Sequence, residues 1–261
     1  MQQTNTIIIG YRVLRILTHT LVGILLVASI WPFVHQRTRA KHRQWWCKKL
    51  LSCFNIQIVS YGKLPDASFS NTMFIANHIS WIDIHALNTV LPLQFIAKSD
   101  INNWPVFGYL VRKSGTIFIN RNNRQDTARI VETIARRLMT GANVGLFPEG
   151  TTSDGSTVRH FKSSIVEAAI QANACLYPVA IRYPDNDGQV NLKMAYAGET
   201  TLGESVMNVL KQKESTVELH FLAAINPEMG NRQTLTQSAF DCIAMQLNHR
   251  AKSNSTQTLN G

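Results

Sequence analysis

The sequence predicts an α/β fold, with a mostly parallel sheet flanked by helices and an N-terminal membrane-associated helical segment. The chain has 261 residues, of which 45% are hydrophobic and 16% charged. This length and composition allow one sizeable core or two small ones and exclude a disordered chain. After residue 55, short apolar runs alternate with amphipathic helical patterns, which favours an α/β architecture. Before them lies a long apolar stretch without charged residues, which favours a membrane-associated segment.

The apolar stretch runs from Ile16 to Val34, 19 residues without Asp, Glu, Lys or Arg. As a helix it would extend about 28 Å, close to the thickness of the hydrocarbon core of a bilayer. Polar residues and Pro32 dilute its hydrophobicity. The sequence therefore leaves open whether this helix crosses the bilayer or dips into one leaflet, and a buried core helix is a further alternative.

Positive charge is concentrated in the same part of the chain. The formal net charge is +10, yet residues 1–65 hold nine Lys or Arg and no acid, and the first carboxylate is Asp66. Basic residues interleaved with Trp45 and Trp46 are typical of a cytoplasmic membrane interface. We therefore expect an anionic membrane surface as partner, at the inner membrane, with the remainder of the protein on the cytoplasmic side. A cleaved signal peptide is disfavoured because this charge would oppose translocation. A nucleic-acid-binding arm would not explain the adjacent apolar run, so no nucleic acid is expected.

We predict three regions: a membrane anchor at 1–55, a catalytic domain at 56–250 and a polar tail at 251–261. Within the second region, seven short apolar runs predict strands, namely Ile56 to Ser60, Thr72 to Ala76, Gln94 to Ala97, Thr116 to Asn120, Val144 to Phe147, Leu176 to Arg182 and Val217 to Leu222. Helical periodicity predicts helices at Trp81 to Val90, Arg124 to Met139 and Lys162 to Asn173. Strands separated by such helices favour a parallel sheet, in which functional residues gather at the carboxyl ends of the strands.

The first polar cluster, Asn77 to Asp83, follows directly after a predicted strand. A histidine such as His78 is suited to activating a hydroxyl near neutral pH, and a carboxylate such as Asp83 can fix its tautomer. Five residues along one helix would leave the two side chains about 140° apart. We therefore expect His78 in a loop just ahead of the helix that carries Asp83, with Asn77 or Ser80 as a possible cap.

Two further clusters follow other predicted strands. The segment from Gly115 to Arg121 is a strand ending in an arginine, whose planar fork suits phosphate. Glu149 and Gly150 end another apolar strand, and a glutamate there must be paired or lie in a wet cleft. The glycine spacing of this cluster approaches that of a nucleotide-binding P-loop, but Ser156 stands where that motif needs lysine.

In order and spacing, the segments NHISWID, GTIFINR, FPEGTTS and YPVAI resemble the four blocks of the glycerolipid acyltransferase family, which includes 1-acylglycerol-3-phosphate acyltransferases. The resemblance covers roughly residues 70 to 185. It implies a membrane-associated enzyme that transfers an acyl group from acyl-CoA or acyl carrier protein to the free hydroxyl of a lysolipid. The acceptor it implies is 1-acylglycerol-3-phosphate, which would give phosphatidate.

The resemblance also implies roles for individual residues. His78 would be the base that takes the hydroxyl proton, and Asp83 would orient it. Acceptor and phosphate binding would fall to Arg121, Glu149, Gly150 and Lys162. Supporting positions would be Asn77, Ser80, Gly115, Thr151 and, loosely tied to the acyl donor, Pro178. No cofactor and no metal are expected, because a thioester is already activated and the four cysteines show no metal-ligand spacing.

The segment after the third block departs from the family pattern. Members acting on lysophosphatidate commonly have Phe-Lys-Lys-Gly there, whereas this chain has Phe161-Lys162-Ser163-Ser164. This segment resembles that of enzymes acylating lyso-ornithine lipid, which is therefore the alternative acceptor. Two other classes stay open: an acyl thioesterase in which His78 activates water, and a lipid-binding protein that keeps the fold without catalysis.

Overall fold

The computed structural model describes residues 4–64, 69–99, 107–119 and 124–257. Its helices are α1 (Thr6–Ser29), α2 (Gln36–Cys53), α3 (Ile82–Val90), α4 (Phe107–Lys113), α5 (Arg124–Met139), α6 (Glu167–Gln171), α7 (Leu202–Leu210) and α8 (Arg232–Gln257). Its strands are β1 (Ile56–Gly62), β2 (Thr72–Ala76), β3 (Gln94–Lys98), β4 (Ile117–Ile119), β5 (Asn143–Leu146), β6 (Cys175–Arg182) and β7 (Ser215–Phe221). Each of the seven predicted strands is present.

The seven strands form one sheet in the order β1-β7-β6-β2-β5-β3-β4. Strands β6, β2, β5, β3 and β4 are mutually parallel, whereas β7 pairs with β6 in the antiparallel sense and with β1 in the parallel sense. The predicted fold class, a mostly parallel sheet flanked by helices, is confirmed. The reversed direction of β1 and β7 was not predicted.

Helices cover both faces of the sheet. Strand β2 is buried along its whole length, and its residues alternate between two hydrophobic clusters. One cluster receives Phe74 together with residues of α2, α3 and α7, and the other receives Met73 together with residues of α5, α6 and α8. Burial on both faces explains why the strand sequences read as continuous apolar runs. Because β2 is the fourth of the seven strands, the loop after it lies at the middle of the carboxyl edge of the sheet.

Helix α1 lies along the surface of the domain. Near its start, the guanidinium of Arg12 donates hydrogen bonds to the backbone carbonyls of Gln212 and Lys213, at 2.6 and 2.7 Å. Further along, Gly23 lies directly beneath the indole ring of Trp46, and just beyond the helix Trp31 is buried. Within the described residues, one helical segment, Thr6–Phe33, is long and apolar enough to cross a membrane, with a mean hydropathy of 2.0. Most of this segment is exposed.

Two predicted boundaries differ from the structure. The helix predicted from Lys162 to Asn173 is shorter, because the backbone N–H of Lys162 donates to the carbonyl of Pro148 and α6 begins only at Glu167. The polar tail predicted at 251–261 continues helix α8 through Gln257, as far as the structure describes it.

Candidate active site

His78 and Asp83 meet at the carboxyl end of β2. His78 lies in the loop after the strand, and Asp83 is the second residue of α3, as their spacing predicted. Nδ1 of His78 lies 2.8 Å from Oδ2 of Asp83, and the two side chains are 17% and 0% exposed. With Nδ1–H donated to the carboxylate, the neutral imidazole carries its basic lone pair on Nε2. The partly exposed ring can therefore accept a proton from a bound molecule.

The Asp83 carboxylate is held by three further donors. Oδ2 also accepts the backbone N–H groups of Ile79 and Ser80, at 2.7 and 2.9 Å. Oδ1 accepts the hydroxyl of Tyr183. Burial and the neighbouring negative charge of Asp83 raise the pKa of Tyr183 well above its ordinary value, so the phenol stays protonated as a donor. Sequence reasoning missed Tyr183; the available signal was a tyrosine directly after the carboxyl end of a buried strand.

Glu149 holds the backbone of His78 from the neighbouring strand end. Its Oε1 accepts the backbone N–H of His78 at 2.8 Å, and the backbone N–H of Arg159 is a second donor to the carboxyl group. Among the described residues Oε2 has no hydrogen-bond partner. The residue is 4% exposed, and burial raises its pKa from 4.5 to about 7. On the other side, the backbone N–H of Ser153 donates to the carbonyl of His78 at 2.8 Å.

Two stacked phenyl rings support the imidazole. The ring of His78 lies 4.0 Å from that of Phe147 at an interplanar angle of 9°, and Phe147 stacks in turn on Phe95 at 5.5 Å. Gly145 makes room for this stack, because a Cβ at that position would lie 2.4 Å from the Phe95 ring. The sequence places Phe147 at the end of a predicted strand and at the start of the third block, but it gives no role to the ring. Together the hydrogen bonds and the stack fix the orientation of the imidazole.

Several of the other predicted residues lie close to this pair. The side-chain amide of Asn77 exchanges two hydrogen bonds with the backbone of Ile181 in β6, so Asn77 extends the sheet and does not cap α3. Gly150 adopts a positive φ of 75° in the turn after Glu149, where a glycine is favoured. Thr151 next to it is exposed. Lys162 is exposed as well, and its backbone is tied beside Glu149 through Pro148.

Two of the remaining predicted residues, Pro178 and Gly115, are not brought into contact with His78. Pro178 is buried inside β6, paired in register with Ile75. Gly115 lies at the amino end of β4, on the opposite edge of the sheet, because β2 and β4 run in the same direction. Arg121 lies outside the described residues. No group of three or more His, Cys, Asp or Glu within the described part of the chain could hold a metal ion.

Comparisons with known proteins show the family of this chain. A family model described as Acyltransferase matches residues 58–182. A lyso-ornithine lipid O-acyltransferase of Rhizobium meliloti (strain 1021) is 30% identical over 238 residues, which cover 85% of this chain and 81% of that protein. The chain belongs to the acyltransferase family. This finding confirms the predicted resemblance, and the enzyme is an acyltransferase.

Two further comparisons concern a second curated protein and a solved structure. A 1-acyl-sn-glycerol-3-phosphate acyltransferase of Neisseria gonorrhoeae is 37% identical to this chain over 153 residues, which cover 59% of this chain and 60% of that protein. The crystal structure of the 1-acyl-sn-glycerophosphate (LPA) acyltransferase PlsC from Thermotoga maritima superposes with a TM-score of 0.65, covering 91% of this chain and 97% of the other. At 19% identity, this likeness shows the fold.

Proposed function

We propose that this acyltransferase transfers a fatty acyl group from a thioester to the free hydroxyl of a lysolipid, with His78 as general base. The observation that carries the proposal is the hydrogen bond from His78 Nδ1 to the buried carboxylate of Asp83. Nε2 takes the hydroxyl proton while the hydroxyl oxygen attacks the thioester carbonyl. The tetrahedral intermediate then collapses, the C–S bond breaks, and the thiolate leaves with the proton returned by His78. A positioned base of this kind contributes about 10² to 10⁴ in rate.

The acceptor in this proposal is 1-acylglycerol-3-phosphate, and the product is phosphatidate. Two exposed cations lie near Glu149 and could bind the acceptor phosphate: Lys162, whose backbone is tied to Pro148, and Arg159, whose backbone N–H reaches Glu149. The sequence adds Arg121 to this set. The relative from Neisseria, which aligns with 59% of this chain, supports this acceptor.

Lyso-ornithine lipid is the second candidate acceptor. It is favoured by the relative from Rhizobium, which aligns over a larger share of the chain than the relative from Neisseria does. The segment Lys162-Ser163-Ser164, which lacks the second lysine and the glycine, points the same way. An ornithine headgroup carries no phosphate, so it would not need the full set of cations.

Membrane attachment is part of the proposal. The residues of α1 that face away from the domain form an apolar stripe, which includes Leu14, Leu21 and Leu25, all more than half exposed. Because the opposite face of α1 is docked on the domain, we propose that residues 1–55 lie in the membrane interface and do not cross the bilayer. The domain at 56–250 would then work at the cytoplasmic surface, where acyl-CoA or acyl carrier protein supplies the donor.

The test is an assay of thiol release from acyl-CoA or acyl carrier protein by the full chain in detergent. Parallel reactions contain lysophosphatidate, lyso-ornithine lipid or no acceptor. We expect release that depends on lysophosphatidate, with phosphatidate as product. Release only with lyso-ornithine lipid would identify that lipid, and not lysophosphatidate, as the acceptor. Equal release without acceptor would identify a thioesterase, and no release with either donor would favour a non-catalytic lipid-binding protein.

A further inference from the structure

A polar cavity lies outside the candidate active site. It has a volume of about 170 Å³, and its wall includes Trp31, Arg39, Arg43, Gln94, Lys113 and Arg137. Gln94 begins β3, and Lys113 ends the helix that precedes β4. These strands run parallel to β2, so the cavity lies at the amino edge of the sheet, whereas His78 lies at the carboxyl edge. We call it the basic cavity.

Four cations surround the basic cavity: Arg39, Arg43, Lys113 and Arg137. Its described lining residues include no aspartate or glutamate. Like charges gathered around so small a space repel one another, and the repulsion is stronger for groups withdrawn from water. An anion bound between them would remove this repulsion. The charge of the cavity therefore selects an anionic ligand.

Buried donors beside the cavity also lack acceptors. One terminal nitrogen of Arg43 donates to the backbone carbonyl of Ser114, but its buried Nε has no acceptor among the described residues. The indole Nε1 of Trp31 is likewise buried without an acceptor in the described part of the chain. Burial lowers the pKa of Arg43, which reflects the cost of holding its charge there without a counter-charge. Buried donors of this kind are normally paired, so two of them in one cavity wall call for an acceptor. The buried Oε1 of Gln94, also in the wall, is likewise without a partner among the described residues.

The position of the cavity identifies the source of the anion. Trp31 follows Ile30 and precedes Phe33 by two residues; these two neighbours are 46% and 87% exposed and follow the apolar stripe of α1. If α1 lies in the membrane interface, the mouth of the cavity lies at the depth of the lipid headgroups. The ligand chemistry that four cations and N–H donors recognise is a phosphate group.

We propose that the basic cavity is a phosphate-binding site, separate from the catalytic centre, which takes the phosphodiester headgroup of an anionic membrane lipid. This inference rests on the proposed membrane attachment. It does not rest on the acyl-transfer chemistry, because no residue of the basic cavity contacts His78 or Asp83. The bound lipid would fix the junction of α1 and α2 against β3 and β4.

The test compares the full chain with two double variants of equal charge change. Lys113→Gln/Arg137→Gln removes two exposed cations of the cavity. Lys48→Gln/Arg136→Gln, the matched control, removes two exposed cations that do not line it. Native mass spectrometry in neutral detergent counts retained phosphatidylglycerol, with phosphatidylcholine as a zwitterionic control. Thermal shift with inorganic phosphate is the second arm. The proposal predicts one tightly held phosphatidylglycerol, with affinity about thirtyfold lower in the cavity variant and nearly unchanged in the control variant.

Each outcome decides the proposal. Equal loss of phosphatidylglycerol in both variants would overturn it, since binding would then be diffuse surface attraction. Stabilisation by inorganic phosphate without retention of phosphatidylglycerol would show that the cavity binds phosphate, but it would overturn the proposal that the phosphate belongs to a membrane lipid. The variant His78→Ala should retain the lipid fully. If neither lysolipid is acylated while lipid retention still depends on Lys113 and Arg137, the proposed function fails and the basic cavity stands.

Discussion

The hydroxyl of Tyr183 donates a hydrogen bond to Asp83 Oδ1, the carboxylate oxygen that His78 does not use. The two residues are 100 positions apart, and both are essentially buried. Tyr183 therefore acts on the imidazole through Asp83, as a positioning residue. The Tyr183 hydroxyl and the backbone N–H groups of Ile79 and Ser80 together fix the orientation of the Asp83 carboxylate, and this orientation determines where His78 binds it.

Tyr183→Phe should weaken both the fold and the reaction. Loss of a hydrogen bond to a buried charged group should lower the free energy of unfolding by about 1 to 3 kcal/mol. We expect kcat to fall about tenfold while KM for the acceptor changes little, because the base is displaced and the acceptor contacts remain. Tyr177→Phe is the matched control, since the Tyr177 hydroxyl donates only to the backbone carbonyl of Lys63. Equal losses of kcat in the two variants would argue against a positioning role.

Glu149 should make stability depend on pH. Burial raises its pKa from 4.5 to about 7, so between these values the folded protein binds a proton that the unfolded chain releases. The free energy of unfolding should therefore fall as pH rises through this window, by about 2 to 3 kcal/mol. Glu149→Gln should remove this decrease and be more stable than the wild type at pH 8. Urea unfolding of the wild type and of Glu149→Gln from pH 4.5 to 8 measures this decrease. The same dependence of the free energy of unfolding on pH in both proteins would contradict the raised pKa of Glu149.

The apolar stripe of α1 should control membrane binding. Leu14 and Leu25 are 62% and 56% exposed, and each leucine side chain transferred into the membrane contributes about 1.5 to 3 kcal/mol. Leu14→Gln/Leu25→Gln should therefore reduce partitioning into vesicles at least about 100-fold. The control Leu192→Gln/Met245→Gln changes residues of similar exposure elsewhere and should bind normally. Resistance of the α1 variant to alkaline extraction would indicate a helix that crosses the bilayer.

Gly145 should be intolerant of a side chain. A Cβ there would lie 2.4 Å from the Phe95 ring, so Gly145→Ala must displace Phe95 and with it the stack beneath His78. We expect a loss of about 1 to 3 kcal/mol in stability and a reduced kcat. Gly203→Ala is the control, because a Cβ at that helical position meets no atom within 4 Å. Gly203→Ala should be neutral or slightly stabilising. Similar changes in stability and kcat for the two variants would show that the ring stack does not support His78.

The strands and the placement of His78 ahead of the Asp83 helix could be predicted from the sequence, because both depend on local patterns of hydrophobicity and spacing. The contact between Tyr183 and Asp83 could not, since it depends on the pairing of β2 with β6. The reversed direction of β1 and β7 is also set by long-range packing. Hydropathy showed that α1 is apolar, but it could not show that α1 packs against the domain. That packing depends on hydrogen bonds from Arg12 to residues 198 to 201 positions further along the chain.

The central claim is that His78, oriented by Asp83, takes the proton from the acceptor hydroxyl. The most direct test measures acceptor-dependent thiol release by His78→Ala beside the wild type, with unchanged melting temperature and membrane binding as proof of folding. We expect kcat to fall by about 10² to 10⁴ in His78→Ala, and by a smaller but still large factor in Asp83→Asn. Near-normal turnover by a folded His78→Ala protein would contradict it.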